Sequence, residues 1–176
     1  HPQGQLGTVH LTPWHLGGSV LLLGDAAHAI VPFHGQGMNA AFEDCSVLDA
    51  LLDRHTDWEP LFREFSQTRR PNTDAIAEMA IENYTEMRDT VLDAGFVRRK
   101  EIAMDLERRY PDRFIPRYSM VMFHPEIPYA EAQRRGAVQA GILVELDTHR
   151  TATGAVDQAL AGRLISSRLS ALDTRS

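Results

Sequence analysis

Several features that would assign a protein to a special class are scarce in this sequence of 176 residues. Its one cysteine, Cys45, cannot form an internal disulfide framework, which favours a reducing compartment and predicts a cytoplasmic location. Its 18 Lys and Arg are outnumbered by 24 Asp and Glu, and no segment forms a basic stripe, so nucleic acid is not an expected partner. The longest apolar run covers residues 20–23, far short of the roughly 18 residues that a membrane span needs, so no membrane anchor is expected.

An initiating methionine is absent as well, since the sequence begins with His1. The length alone predicts a single domain with a core of its own, because domains average roughly 100–200 residues. Strand-like residues follow almost immediately after His1. We therefore expect the chain to be a piece of a longer protein.

The pattern of apolar residues predicts an α+β protein in which short N-terminal strands precede a mostly helical region. Residues 6–12 alternate between apolar and polar types, as a half-buried strand does. Residues 19–24 form a short apolar run that is typical of a strand buried on both faces, although periodicity alone leaves a buried helix open.

The remainder is predicted to be helical, apart from an extended apolar segment at 113–123. Pro71 should end one helix, because proline disfavours the α conformation at the residue before it. In the first helix, the spacing predicts that Phe42, Leu51 and Leu52 belong to the buried face. The predicted helices cover residues 38–52, 58–68, 71 to about 91, 97–109, 129–147 and 155–172.

Most of the chemistry lies between residues 23 and 40, which read Leu-Gly-Asp-Ala-Ala-His-Ala-Ile-Val-Pro-Phe-His-Gly-Gln-Gly-Met-Asn-Ala. A predicted strand ends at Gly24 and places the Asp25 carboxylate at the edge of a sheet, where open α/β sheets bind ligands. An ionised Asp only accepts hydrogen bonds, so it suits a ligand with many hydroxyl groups, such as a ribose or ribitol chain. Gly35 and Gly37 allow close backbone approach, and a helix opening near Gly37 directs free N–H groups to the same place.

Two other interpretations use the glycines of this segment. In one, the residues form a strand, a turn and a helix whose glycines serve packing only. In the other, Gly35-x-Gly37-x-x-Ala40 is a dinucleotide fingerprint. That fingerprint should follow a strand directly, and the preceding Pro32-Phe33-His34 argues against it.

A metal site is a further alternative. Asp25, His28 and His34 are suitable ligand types, and His10 or His15 would complete the set. Their spacing lacks the i, i+4 relation of ligands on a helix, so no metal is predicted.

The segments Gly24–His28 and Pro32–Asn39 resemble the second FAD-binding motif of the flavin-dependent aromatic hydroxylases related to para-hydroxybenzoate hydroxylase. Within that family the resemblance is closer to the kynurenine 3-monooxygenases. It covers about residues 1–145. More specific support comes from Ile81–Arg88, from Arg113–Val121, and from Pro128-Tyr129 with Arg135-Gly136.

The resemblance implies an FAD-dependent enzyme on the α/β fold of the glutathione-reductase-like flavoproteins. NADPH would reduce the FAD, and dioxygen would be used to hydroxylate L-kynurenine ortho to its amino group, giving 3-hydroxykynurenine in tryptophan degradation and NAD biosynthesis. No residue is implied as a catalytic acid or base, since the flavin performs the chemistry. The resemblance assigns cofactor contacts to Asp25, Pro32, Gly35, Gln36, Gly37, Met38 and Asn39, and substrate contacts to Phe33, His34, Asn83 and Tyr118.

Two of the implied substrate contacts have a second interpretation. Asn83 interrupts an apolar helical stripe, and a buried amide costs about 1–3 kcal/mol unless it is hydrogen-bonded. Without the resemblance, Asn83 would be a core residue satisfied by neighbouring backbone, and Tyr118 a buried aromatic residue with a satisfied hydroxyl group.

The opening Rossmann unit of the family, with its G-x-G-x-x-G motif, is absent from the sequence. We therefore interpret the chain as the C-terminal part of such an enzyme, and expect it to be inactive and to bind FAD weakly without the missing N-terminal part. Two alternatives stay open: a flavin hydroxylase acting on a phenolic substrate, and a non-catalytic helical remnant of the family. Three regions are predicted, namely the C-terminal part of the FAD-binding domain (1–55), a helical region of the substrate pocket (56–147), and a linker with an amphipathic helix (148–176).

Overall fold

The computed structural model describes residues 4–89, 93–151 and 155–172, apart from the side chain of Asp89. The described residues up to Thr85 form one compact unit, and those from Glu86 onward form a second. The three functional regions predicted from the sequence are a different division and stay a prediction.

The first unit begins with a small hairpin. Strand β1 (His15–Leu16) pairs with β2 (Val20–Leu21) in antiparallel register, with His15 opposite Leu21 and Leu16 opposite Val20. The predicted strand at 6–12 is wrong, since these residues are irregular. The predicted buried strand shrinks to two residues, and Val20 is 48% exposed. The reason is that a strand buried on both faces needs neighbours on both sides, whereas β1 is its one partner among the described residues.

Two helices follow the hairpin. The short α1 (Asp25–His28) comes directly after Gly24, and α2 (Gly37–Leu52) starts within one residue of its predicted position. Its buried face differs from the prediction, because Phe42 is 63% exposed and Leu52 is 45% exposed. The residues that α2 buries are Ala40, Asp44 and Leu51.

Helix α3 (Trp58–Asp89) runs without interruption through Pro71, so the predicted helix end at that residue is wrong. A proline inside a helix costs about 3 kcal/mol. The residues on both sides are deeply buried, including Phe65 and Ile76, which are fully inaccessible. Burial of this face outweighs the local preference of proline.

The core of the first unit lies between the hairpin, α1, α2 and α3. Trp14 is 2% exposed and its indole N–H donates to the Leu11 carbonyl at 2.9 Å, which satisfies its polar atom. The buried members of this core are Trp14, Ala27, Leu51, Leu61, Phe62 and Phe65.

The second unit contains the last residues of α3 and four further helices. These are α4 (Ala94–Arg109), α5 (Arg117–Phe123), α6 (Tyr129–Thr148) and α7 (Gln158–Arg168). Helices α4 and α6 confirm their predictions within a few residues. Helix α7 is shorter than predicted, since the Asp157 side chain caps its start by accepting from the Leu160 N–H.

The predicted extended segment at 113–123 is wrong in its second half, which forms α5. Pro116 has extended backbone angles and precedes the helix, where its carbonyl accepts from the Met120 N–H at 2.9 Å. The helix buries Met120 and Val121.

Arg117 of α5 packs closely against α6 at Gly136. A Cβ atom added at this position would lie 2.6 Å from Cδ of Arg117. The helices of this unit enclose a second core, with buried members Ile102, Leu106, Phe114, Ile142, Leu146, Ala161, Leu164, Ile165 and Leu169.

The predicted α+β class, mostly helical with short N-terminal strands, is confirmed. In the part of the chain that the structure describes, none of the helices combines the length and the apolar character needed to cross a membrane.

Candidate functional site

The turn between β2 and α1 carries the predicted carboxylate. Gly24 has φ +54°, a left-handed conformation that favours glycine, and a Cβ atom added there would lie 3.2 Å from that of Ala41 on α2. Asp25 is the first residue of α1 and its side chain is exposed. The turn therefore packs against α2 while leaving the carboxylate accessible to a ligand.

The loop before α2 has an open backbone. Gly35 has φ +70°, and nothing lies within 4 Å of a Cβ atom added there or at Gly37. The first backbone hydrogen bond of α2 runs from the Ala40 N–H to the Gln36 carbonyl at 2.9 Å, and no side chain caps the helix. The N–H groups of residues 37–39 consequently have no acceptor inside the helix and form a donor set at its positive end.

The other predicted cofactor residues lie around this loop. Pro32, Met38 and Asn39 are exposed, with Met38 69% accessible. Gln36 is 4% exposed and its side-chain oxygen accepts from the Asn39 amide at 2.8 Å. The buried Gln36 side chain thus holds the start of α2, while its neighbours face outward.

The structure brings two predicted substrate residues together. The Asn83 amide nitrogen donates to the Phe33 carbonyl at 2.6 Å, so α3 is tied to the loop that precedes α2. The Phe33 ring stacks on that of Tyr84, with ring centroids 4.4 Å apart and an interplanar angle of 29°. His34, next in the loop, is 7% exposed.

The contact of Asn83 corresponds to the second interpretation of this residue, in which neighbouring backbone satisfies the amide. Asn83 is nevertheless only half-buried, and its amide oxygen takes no part in the bond to Phe33. Tyr118 lies in the second unit, on α5, and is 53% exposed rather than buried. The role of both residues toward substrate stays a prediction.

A buried ionic cluster lies beneath the turn and was not predicted. Asp44 on α2 is fully buried, and Arg69 on α3 donates from Nε to its Oδ1 at 2.7 Å. The other carboxylate oxygen, Oδ2, accepts from the Gly24 N–H at 3.0 Å and lies 2.6 Å from Nε2 of His28. The remaining guanidinium nitrogens of Arg69 donate to Glu43 at 2.8 Å and to the Ala40 carbonyl at 3.0 Å.

Asp44 is ionised in this cluster. Burial by itself raises the pKa of the carboxyl group, but hydrogen bonds from His28, Arg69 and the Gly24 N–H together outweigh it, so the pKa lies below its ordinary value. The cluster therefore pairs an anion with a cation inside the first unit.

A signal for this cluster exists in the sequence. Asp44 lies on the helical stripe formed with Ala40, Val47 and Leu51, and Arg69 interrupts the apolar stripe of α3 in the same way. Opposite charges on the buried stripes of two consecutive helices indicate a buried ion pair, since an unpaired charge there would be too costly.

The metal alternative finds no support. His28 contacts Asp44, and Asp25 is exposed. Among the residues that the structure describes, no group of three or more His, Cys, Asp or Glu side chains has the arrangement of a metal site.

The turn and the start of α2 fit FAD. Asp25 offers acceptors for hydroxyl groups, and the uncapped start of α2 offers backbone donors beside open space at Gly35. A flat ring system is able to approach the backbone there, because no side chain fills the space above the glycine.

Comparison with known proteins agrees with this fit. The family model described as FAD binding domain matches residues 5–80, which include the whole turn and α2. A curated kynurenine 3-monooxygenase of Myxococcus xanthus is 49% identical over 168 residues, which cover 96% of this chain. Those of Stenotrophomonas maltophilia and Xanthomonas euvesicatoria are each 47% identical over 173 residues, or 98% of the chain. The chain is therefore similar to these kynurenine 3-monooxygenases over nearly all of its length.

The match covers a much larger share of this chain than of its relatives. Nearly all of this chain is matched, yet it spans only 36–38% of the length of these kynurenine 3-monooxygenases. The family resemblance predicted from the sequence is confirmed, as is its placement in the FAD-binding flavin monooxygenase fold.

Proposed function

We propose that this chain forms part of an FAD-dependent monooxygenase that hydroxylates L-kynurenine to 3-hydroxykynurenine with NADPH as the electron donor. The observation that carries the proposal is the accessible Asp25 beside the uncapped start of α2, inside the segment matched by the FAD binding domain family. Similarity to kynurenine 3-monooxygenases along nearly the whole chain supports the substrate.

The proposed cofactor contacts divide between two places. Asp25 accepts hydrogen bonds from the hydroxyl groups of the ribitol or of the region next to the pyrophosphate. The backbone of residues 35–39 lies beside the ring, with Pro32 and Met38 as exposed apolar contacts. Gln36 and Asn39 stabilise this backbone through their mutual hydrogen bond.

Bound FAD would supply the redox chemistry, taking electrons from NADPH and delivering an oxygen atom from dioxygen to the substrate. The N–H groups at the start of α2 would stabilise negative charge on a bound flavin ring, by roughly 0.3–1 kcal/mol at an exposed helix end and more where water is excluded. No side chain of the described residues needs to act as an acid or base in this scheme.

The proposed substrate contacts are the residues that the family resemblance implies. Phe33 and His34 line the pocket of the aromatic ring, and Phe33 is held in place by Tyr84. The resemblance assigns the amino-acid end of L-kynurenine to Asn83 in the first unit and, separately, to Tyr118 in the second. The tie between Asn83 and the Phe33 backbone couples one of these contacts to the loop beside the cofactor.

NADPH oxidation by the full reading frame that contains this chain tests the reaction. We expect L-kynurenine to stimulate NADPH oxidation and to yield 3-hydroxykynurenine. Stimulation by a phenol or by salicylate instead would assign the enzyme to another aromatic hydroxylase. No bound flavin and no stimulation by any aromatic compound would indicate a non-catalytic remnant.

The variant Asn83→Ala tests the substrate contact. We expect it to raise the KM for kynurenine at least five-fold, because the amino-acid end loses a hydrogen-bond partner. Asn72→Ala on the same helix is the matched control, since its amide donates to the Thr68 carbonyl one turn away and its KM should not change. An unchanged KM in Asn83→Ala would leave Asn83 as a support of the Phe33 loop only.

The third test concerns the 176-residue chain by itself. It spans little more than a third of its relatives, so we expect weak FAD binding or none. Titration followed by flavin fluorescence measures this, and a dissociation constant in the micromolar range would contradict the expectation.

A further inference from the structure

The buried carboxylate of Asp44 joins the two halves of the candidate cofactor site. We propose that Asp44 is a positioning residue, which fixes the turn that carries Asp25 against the helix whose start carries residues 37–39. This inference rests on the proposed function, since it assigns Asp44 a part in organising the FAD contacts.

The first step of the argument is the turn. A single oxygen, Oδ2 of Asp44, accepts from the Gly24 N–H at 3.0 Å and contacts Nε2 of His28 at 2.6 Å. These two residues are four positions apart and bracket Asp25. One atom of Asp44 consequently holds both ends of the segment Gly24–His28, which limits the positions that the Asp25 carboxylate is able to reach.

The second step is the helix. Asp44 lies seven residues after Gly37, so the two residues are about two turns apart on the same face of α2. A helix of 16 residues is a rigid element. The position of Asp44 therefore sets the distance between the turn and the donor groups at the start of α2.

The third step is the cation. Arg69 binds the other oxygen of Asp44 at 2.7 Å and also donates to the Ala40 carbonyl at 3.0 Å, in the first turn of α2. The arginine thus keeps Asp44 ionised and holds the start of α2 to α3. Charge-assisted hydrogen bonds of this kind are about twice as strong as neutral ones.

The fourth step is His28, whose ring is 3% exposed. Its Nδ1 atom has no hydrogen-bond partner among the described residues, so the contact with Asp44 is the polar interaction that orients the ring. Because the ionised Asp44 only accepts, the proton must lie on Nε2. The polar interaction of the His28 ring is therefore directed to the carboxylate of Asp44.

The experiment uses the enzyme encoded by the full reading frame, stripped of flavin and titrated with FAD. We expect Asp44→Asn to raise the dissociation constant of FAD at least ten-fold, measured by flavin fluorescence well below the melting temperature. The matched control is Leu51→Ala, which removes an apolar side chain of 1% exposure from the same helix and leaves the hydrogen bonds of Asp44 to Gly24 and His28 in place. It should lower the Tm of the apoenzyme while changing the FAD dissociation constant less than two-fold.

If Asp44→Asn fails to fold, two variants of His28 test the same inference. His28→Leu removes the donor to Asp44 and should raise the FAD dissociation constant at least five-fold. In His28→Gln an amide nitrogen is able to replace Nε2, so this variant should bind FAD more tightly than His28→Leu.

Four outcomes separate the possibilities. An FAD dissociation constant within two-fold of the parent in Asp44→Asn, or equal constants in the two His28 variants, would overturn the inference. An equal loss of affinity in Asp44→Asn and Leu51→Ala would also overturn it, because the effect would follow stability alone. A parent enzyme that binds no FAD at all would instead contradict the proposed function.

Discussion

Each of the two units buries an arginine, and the two arginines are compensated in different ways. Arg69 in the first unit is 3% exposed and all three of its side-chain nitrogens are hydrogen-bonded, two of them to carboxylates. Arg135 in the second unit is fully buried, and its hydrogen bonds go to the carbonyls of Arg113 and Ser170, at 2.7 and 2.9 Å, and to the Ser170 hydroxyl.

The electrostatic surroundings differ accordingly. The nearest carboxylate oxygen to Arg135 belongs to Glu131 at 3.8 Å, and its Nε atom has no partner among the described residues. Burial lowers the pKa of Arg135, and the attraction of Glu131 only partly opposes this effect. The first unit therefore balances its buried cation with full charges, whereas the second relies mainly on backbone dipoles.

The difference indicates two kinds of task. A buried ion pair contributes little net stability, because desolvation consumes most of the attraction, but it is strict about geometry. Such a pair suits the first unit, where the candidate cofactor site lies. The carbonyls that Arg135 binds belong to the segments at 113 and 170, so this arginine holds the end of the described chain to α6.

The largest expected effect is that of Arg69→Met, which would leave the Asp44 carboxylate buried without its cation. We expect it to lower the free energy of unfolding by about 3–5 kcal/mol. Urea denaturation followed by tryptophan fluorescence reports on this unit, because both tryptophans of the chain, Trp14 and Trp58, belong to it.

A second substitution serves as the control for that experiment. Adding Asp44→Asn to Arg69→Met removes the unpaired negative charge, so the double variant should regain part of the lost free energy of unfolding. A loss below 1 kcal/mol in the single variant would mean that water or another group compensates Asp44.

A smaller effect is expected for Arg135→Met. This substitution leaves no full charge unpaired, but the carbonyls of Arg113 and Ser170 lose their hydrogen-bond donor. We therefore expect the free energy of unfolding to fall by about 2 kcal/mol. Hydrogen exchange should rise at residues 169–172, while the tryptophan fluorescence transition of the first unit should keep its midpoint. A loss as large as that of Arg69→Met would remove the distinction between the two sites.

The smallest effect concerns pH. Because the pKa of Asp44 is lower in the folded state, its stabilising contribution is complete above about pH 5 and is lost as the pH falls through the folded pKa, below about 4. The difference in the free energy of unfolding between the parent and Asp44→Asn should therefore narrow as the pH falls from 7 into the acid range, which urea denaturation at a series of pH values measures. The difference for Arg135→Met should stay nearly constant over the same range, and a parallel decrease in both would contradict the contrast.

The sequence predicted those parts of the molecule in which local pattern and tertiary packing agree. Helices α2, α4 and α6 have apolar stripes, and their ends lie within a few residues of the predicted positions. The failures are places where packing overrides a local preference, such as Pro71 inside α3 and the helix α5 in a segment predicted to be extended.

The candidate site was predicted in its accessible part and missed in its buried part. Asp25 and the glycines of the loop were proposed from a motif and from the chemistry of a carboxylate beside a helix start, and their role toward FAD stays a prediction. Asp44 and Arg69 were not, because they lie 25 residues apart and each looks like an ordinary charge in a helix. Their partnership depends on how α2 packs against α3, which periodicity indicates only when the two stripes are compared.

The contact between Gly136 and Arg117 has a consequence for the divergence of related sequences. A side chain at position 136 cannot coexist with the present path of the Arg117 stem, since the clash involves its Cβ, Cγ and Cδ atoms. A related sequence with a larger residue in place of Gly136 should carry a shorter residue in place of Arg117. The two positions, 19 residues apart in the chain, should thus evolve as a pair, with a small residue at one whenever a long one stands at the other.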